Sequence, residues 1–327
     1  MPQISIVIPV YKALECIVEL HRRLTDAVSA ITPDYELVWV EDCGKDGSWE
    51  RMQQLAAGDR KLKAIKMSRN FGQHYAIAAG LDAADGEWIV VMDCDLQDKP
   101  EEIGKLFTKA QEGYDVVLAR RHLRIDSFYR RFVSWLFIQI YNYLGDIKVD
   151  NSISNFSISS RRVIDSVRRF RERNRSFPIF RDAVGFKTTT VDVEHAARFA
   201  GKSSYSFLKL LDFAIQCIVA QSSKPLRLSI KIGFSLALAS GFYAALLIFR
   251  YFYFGTALQG WTSTMVAVSF FFGLVLANLG VIGLYLGKIF DEVKGRPLYI
   301  VETALNLAPP IPVPATTGAA TQRLVKE

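Results

Sequence analysis

Histidine is scarce, four in 327 residues, and His74, His122 and His195 show no metal-type spacing. The four cysteines, Cys16, Cys43, Cys94 and Cys217, form no CxxC pair, which excludes a zinc ribbon or a disulfide framework and implies reduced thiols. HExxH and GxSxG are absent, removing the zinc-protease and nucleophile-elbow hydrolase readings. No GxGxxG follows the first strand, which disfavours a dinucleotide site. No repeat of solenoid period is present. No leader is evident, because the chain opens on a strand-like run at 4–10, so the catalytic part is expected to stay in the cytoplasm. An acidic balance is missing too. The formal net charge is +7, with basic clusters at 120–131, 161–175 and 224–231. Such a balance suits nucleic acid, lipid headgroups or a phosphate-bearing substrate. The last cluster abuts an apolar run, which favours headgroups over nucleic acid.

Half of the residues are hydrophobic, and they are unevenly spread. Up to about 229, apolar runs at 4–9, 35–40, 62–67, 87–92 and 115–119 read as strands. Helical patterns at 14–24, 49–57, 74–84 and 100–112 alternate with them. That alternation predicts an α/β domain whose mostly parallel sheet is covered on both faces. Ligands of such sheets bind beyond the carboxyl ends of the strands. Glu41-Asp42, Ser68-Arg69-Asn70 and Asp93-Cys94-Asp95 all fall at such ends.

Two later runs, 232–249 and 265–286, are each long enough to span a hydrocarbon core of ~30 Å. Lys224, Arg227 and Lys231 precede the first; Lys288, Lys294 and Arg296 follow the second; Arg250 ends the first and can snorkel. This bias predicts a hairpin with both ends in the cytoplasm. Gly233, Ser240, Gly241, Gly273, Gly280 and Gly283 offer small faces for helix contact, and hence for a homo-oligomer. Residues 205–222 read either as an amphipathic helix on the membrane surface or as an ordinary packed helix. The expected division is 1–204 as a cytoplasmic α/β domain, 205–228 as a juxtamembrane amphipathic helix, 229–287 as the hairpin, and 288–327 as a cytoplasmic tail disordered after about 308.

Asp93-Cys94-Asp95 places two carboxylates at i and i+2 off a strand end. Such a pair can hold Mg²⁺ or Mn²⁺ bridging a diphosphate, or can serve as ordinary turn residues. Val40-Glu41-Asp42 can recognise a base or ribose; the following Gly44-Lys45-Asp46-Gly47-Ser48 equally reads as turn chemistry.

These motifs together resemble family 2 glycosyltransferases of the A-type nucleotide-sugar fold, and within them the polyprenyl-phosphate group. The matching residues are Val7-Ile8-Pro9-Val10-Tyr11, Val40-Glu41-Asp42, Ser68-Arg69-Asn70-Phe71-Gly72 and Asp93-Cys94-Asp95-Leu96-Gln97-Asp98. Asp126-Ser127, Glu172-Arg173-Asn174-Arg175, Gly201-Lys202-Ser203-Ser204-Tyr205, Tyr285-Leu286-Gly287-Lys288 and 291–297 continue the match over roughly residues 3–301. The resemblance implies an α/β domain with a C-terminal two-helix transmembrane hairpin in a bacterial inner membrane. It further implies a nucleotide-sugar pocket of Pro9, Tyr11, Asp42, Arg69 and Asp93. The implied metal ligands, for Mg²⁺ or Mn²⁺, are Asp93, Asp95 and Gln97. Arg120, Arg130, Ser134, Arg175 and Lys202 are implied to hold the acceptor phosphate, since guanidinium forks match phosphate oxygens. Asp95, Asn155 and Arg175 are the implied catalytic set.

Two departures from the family pattern stand out. Lys12-Ala13 replaces the usual Asn-Glu, and Asn155-Phe156-Ser157 stands where many relatives carry an aspartate read as a base. Asparagine takes no proton at neutral pH. A polyprenyl phosphate is already an anion, with a second pKa near ~6, and needs no strong base. The expectation is in-line, inverting transfer of one sugar, from a UDP-hexose with glucose as default, to undecaprenyl phosphate, without any nucleic-acid partner. A saccharide-extending transferase would carry a Gln-x-x-Arg-Trp motif, which is absent. A non-catalytic accessory on the same fold is the other alternative.

Overall fold

The run Ile4–Val10 is buried at every position, as a strand must be when both sheet faces are covered. It is β1. The computed structural model that contains it describes residues 2–121, 139, 153–173, 175–194, 222–254 and 260–307. Two compact units emerge, Met1–Ile125 with Asp150–Ser203 and Gly295–Glu327, and Asp126–Val149 with Ser204–Lys294.

In the first unit β1 lies between β2 (Tyr35–Glu41), also buried throughout, and β4 (Trp88–Val91), both parallel to it. β3 (Leu62–Met67) extends the parallel set beyond β2. On the other side β6 (Ile153–Ser160) runs antiparallel between β4 and β5 (Val116–Arg121), and β7 (Thr188–Val193) pairs parallel with β5. β8 (Val301–Leu305) closes the far edge, antiparallel to β3. The order is β7-β5-β6-β4-β1-β2-β3-β8, and four of its seven pairings are parallel. The expected mostly parallel α/β sheet is therefore present. Strands β6 to β8 carry no clear sequence signal, and β8 falls within the stretch expected as a tail.

Alternate side chains feed two cores. Ile4, Ile6, Ile8, Leu37 and Trp39 pack with α1 (Ile17–Ser29), α2 (Ser48–Gly58) and α4 (Ile103–Gln111), the last preceded by a 3-10 turn at Pro100–Glu102. Val7, Val38, Val40, Ile65 and Val91 pack with α3 (Gln73–Ala83), α5 (Arg161–Arg168) and α6 (Phe177–Ala183). Helix α3 sits hard on the sheet at Gly80, where a Cβ would fall 2.5 Å from Val7 Cγ1.

The second unit has α7 (Lys224–Phe254) and α8 (Trp261–Val293). Lys224–Phe249 and Thr264–Val293 are long and apolar enough to cross a membrane, with mean hydropathies of 2.0 and 2.3, and 0% of either apolar window is buried. Within the unit Ser229 donates to Asn278 Oδ1, and the Tyr285 hydroxyl donates to the Ser222 carbonyl at 2.7 Å. A Cβ at Gly233, Gly241, Gly273, Gly280 or Gly283 would meet nothing within 4 Å, so these small faces are not spent on contacts between the two helices. The expected helix at 205–222, apart from Ser222, and the tail past 308 lie outside the described residues, as do Arg130, Ser134 and Lys202.

Candidate active site

Because β1, β2, β3 and β4 run the same way, their carboxyl ends share one edge. β5 runs with them across the antiparallel β6, so the start of β6 reaches that edge as well. Topology thus gathers Pro9, Tyr11, Asp42, Arg69, Asp93, Asp95, Gln97, Arg120 and Asn155 along it. The backbone there is strained. Lys12 (φ 50°), Cys43 (φ 55°), Lys45 (φ 56°) and Leu96 (φ 59°) are non-glycine residues in the left-handed region. Each such residue costs on the order of 1–3 kcal/mol and persists where surrounding structure over-determines it, as at functional sites.

Asp42 is 2% exposed and directs its carboxylate to the loop after β3. Its Oδ1 accepts from the Phe71 amide at 2.7 Å and its Oδ2 from the Gly72 amide at 2.8 Å. Burial pushes this carboxyl above its ordinary range, and the two amides work against that rise. The buried Glu41 accepts the Gly44 amide at 2.5 Å and shapes the following turn; burial raises its carboxyl as well. Asp42 therefore fixes the loop that carries Arg69 and leads into α3. Arg69 is exposed, its guanidinium 4.0 Å from the Phe71 ring centroid. Tyr11 is 47% exposed at the end of β1, and Pro9 sits in register with Val40 inside the sheet.

Asp93 Oδ1 accepts two amides, from Gln73 Nε2 at 2.7 Å and from Asn155 Nδ2 at 3.2 Å. This geometry accounts for the unusual asparagine. A carboxylate at 155 would set two acidic groups in contact, whereas the amide donates a hydrogen bond to Asp93. Asp95 Oδ1 accepts the Gln97 amide at 3.1 Å, bending the chain beside it. Between the two aspartates the Cys94 thiol is pushed up to about 12 by burial and is no nucleophile.

Among the described residues no group of three or more His, Cys, Asp or Glu side chains forms a metal cage. Asp93, Asp95 and Gln97 fit a different arrangement. Mg²⁺ is commonly held by one or two carboxylates, with substrate phosphates and water completing an all-oxygen shell. The donor set matches such a substrate-bridged ion.

The arginines differ in how they are engaged. Arg120 is salt-bridged to Asp192 of β7, through Nε at 2.6 Å and Nη2 at 3.2 Å. Arg175 follows α5 in an irregular loop, donates to the Phe170 carbonyl at 2.6 Å and lies 5.2 Å from the Phe180 ring centroid. Burial lowers its pKa from the usual arginine value. Its neighbour His74 accepts the Phe177 amide through Nδ1 at 3.4 Å, and burial, then the Arg175 charge, brings it down to about 4. His74 is therefore a neutral imidazole at physiological pH. Sequence reasoning gave Gln73 no role and weighed His74 only for metal-type spacing; the available signal was their place in the first turn of α3, directly after the recognised Phe71-Gly72.

Comparison with known proteins places the chain in a family. Residues 5–175 match the model described as glycosyl transferase family 2. The chain is 36% identical over 306 residues to the glycosyltransferase YkcC of Bacillus subtilis (strain 168), covering 93% of this chain and 95% of that one. It is 33% identical to the undecaprenyl-phosphate 4-deoxy-4-formamido-L-arabinose transferase of Proteus mirabilis (strain HI4320), covering 94% and 95%. Among solved structures it is similar to glucosyl-3-phosphoglycerate synthase from Mycobacterium tuberculosis, crystallised with Mn²⁺, uridine diphosphate and phosphoglyceric acid, at 16% identity and a TM-score of 0.47 over 67% of this chain and 76% of that one. With the acidic strand-end edge and near-complete coverage of relatives in agreement, the chain belongs to the family 2 glycosyltransferases.

Proposed function

We propose that this glycosyltransferase moves a single sugar from a nucleotide-sugar, a UDP-sugar, to undecaprenyl phosphate, with inversion at the sugar carbon. The observation that carries the reading is the amide-clamped Asp93 beside Asp95 at the strand-end edge. Relatives named for transfer to undecaprenyl phosphate, matched over nearly their whole length, support the acceptor. The hairpin suits a lipid-linked acceptor: it anchors the chain, with the catalytic unit on the cytoplasmic side where the flanking lysines and arginines are favoured.

In this reading Pro9, Tyr11 and Arg69 line the nucleotide pocket, and Asp42 holds the Arg69 loop in place. Asp93, Asp95 and Gln97 would hold Mg²⁺ or Mn²⁺, which when bound neutralises charge developing on the departing diphosphate. Arg175 aligns the acceptor phosphate, together with Arg120 (once released from Asp192), Arg130, Ser134 and Lys202. The phosphate oxygen attacks without a protein base, because it is already ionised. Catalysis then rests on alignment and on screening of anion–anion repulsion. Asn155 takes no proton and keeps Asp93 aimed. Glucose is the default sugar, and 4-deoxy-4-formamido-L-arabinose enters through the relatives' names.

The test is incubation of the purified full-length chain with undecaprenyl phosphate, Mn²⁺ and a panel of UDP-sugars including these two, followed by lipid mass. One lipid gaining a single sugar mass, abolished by EDTA, is expected. No lipid product from protein that still binds UDP would refute the transfer and leave a non-catalytic role.

A further inference from the structure

Among the described residues, 171–173 and 175–176 carry no regular secondary structure, and such a stretch needs anchors from elsewhere if it is to align a phosphate. Its anchors come from an unexpected part of the chain. Arg171 pairs with Asp82 of α3, Nη1 to Oδ2 at 2.9 Å and Nη2 to Oδ1 at 3.3 Å. The same Oδ2 accepts the hydroxyl of Tyr299 at 2.7 Å. Arg173 is held through its carbonyl by the Tyr75 hydroxyl and through Nη2 by the Arg296 carbonyl at 3.5 Å. Arg296 and Tyr299 lie a few residues past Val293, where α8 ends. Their own position is fixed beyond them. The Ser68 amide donates to the Ile300 carbonyl at 3.0 Å, β8 pairs with β3, and Asn306 Nδ2 reaches the Ala56, Asp59 and Leu62 carbonyls at 2.8, 3.3 and 2.9 Å.

We propose that the segment 295–300 is a latch, with Tyr299 as a positioning residue that holds the Arg171–Arg175 loop in the geometry needed to receive the acceptor phosphate. This deepens the reading of Arg175 given above and rests on it. Arg171 alone ties the loop to a carboxylate that can still turn about its side-chain torsions on α3, and the Tyr299 hydroxyl on Oδ2 fixes that orientation. The Tyr299 hydroxyl ties that pair to the sheet edge. Its effect should therefore fall on the acceptor and spare the donor, whose pocket is built by Asp42, Asp93 and the loop after β3. The Asp82 side chain is only 9% exposed, so water substitutes poorly for a lost partner.

The decisive variant is Tyr299→Phe in the full-length chain in detergent, with Asp82→Asn as a second. Steady-state kinetics give the KM of undecaprenyl phosphate at saturating donor, and calorimetry gives UDP binding. The expected result is an acceptor KM raised roughly tenfold, the loss of about one charge-assisted hydrogen bond, with UDP affinity unchanged within about twofold. Equal loss for donor and acceptor, or no change in either, overturns the latch. Hydrogen exchange of residues 170–176 is measured in parallel, and Tyr299→Phe should speed it. If the wild-type chain transfers no sugar, the acceptor reading fails. Exchange then decides the latch alone, and unaltered exchange in Tyr299→Phe overturns it.

Discussion

Asp42→Ala removes a carboxylate that caps two amides in the loop between β3 and α3. Both bonds are short, 2.7 and 2.8 Å, and the aspartate itself is almost wholly buried, while the loop backbone is only partly covered. A buried polar group left unpaired costs about 1–3 kcal/mol, and partial access to water keeps each amide near the lower end. Two such amides predict a loss of roughly 2–3 kcal/mol, a large part of the ~5–15 kcal/mol that holds a domain together. Asp42→Asn keeps one acceptor oxygen and turns an NH₂ toward the other amide, so about half of that loss is expected. The same loop leads to Gln73, which clamps Asp93. Donor affinity should therefore fall about tenfold or more in both variants, out of proportion to stability in the asparagine variant. Urea unfolding of the full chain in detergent, followed by tryptophan fluorescence, measures the first effect; UDP calorimetry measures the second. A stability of Asp42→Ala within about 0.5 kcal/mol of wild type would refute the capping argument, because surface changes alone stay in that band.

Further outcomes follow from neighbouring residues. His74 has its folded-state pKa depressed, from 6.5 to about 4, so its contribution to stability is fully present above pH 6.5 and is lost as pH falls toward 4. That gap is worth roughly 3 kcal/mol, and His74→Gln should flatten the decline of melting temperature between those pH values; an unchanged slope would count against a neutral buried imidazole. Asn155→Asp exchanges an amide donor 3.2 Å from Asp93 for a like charge. It should lower stability by about 1–2 kcal/mol without metal, with Mn²⁺ restoring most of the loss in a melting assay; a deficit that Mn²⁺ leaves untouched would argue against a cation at Asp93.

The sequence was most legible where a strand is apolar throughout. β1 and β2 are buried at every position, and their runs read directly as central parallel strands. The acids and polar residues at their ends announced the site edge for the same reason, since a buried run must stop where the polar residues begin. β6 carried no reading because its serines alternate with Phe and Ile, a pattern that suggests one solvated face, whereas both of its faces are buried. Ser157 and Ser159 are nonetheless buried, Ser157 accepting Arg181 Nη1 at 3.0 Å. Such burial depends on a partner 24 residues away, which no local window contains. Arg120 illustrates the same limit. The resemblance implies a phosphate contact for it, whereas its salt bridge to Asp192, 72 residues distant and on another strand, has no local signal. Asp42 was recognised by its motif, yet its loop-capping bonds emerge only when the backbone amides of Phe71 and Gly72 are placed.

The position of β8 also sets an order of events during synthesis. Lys66 of β3 meets Glu302 of β8 across 236 residues of sequence, and both long apolar helices are made in between. While the ribosome is still translating the hairpin, the outer edge of β3 has its hydrogen-bonding groups uncovered, a template for pairing with other chains. The sheet is completed only by the residues that follow the second helix. A chain that stalls before residue 295 would be left with an open edge and no latch, and so would be prone to aggregation and poor at handling an acceptor. Completion of the sheet is thereby coupled to synthesis of both long apolar helices.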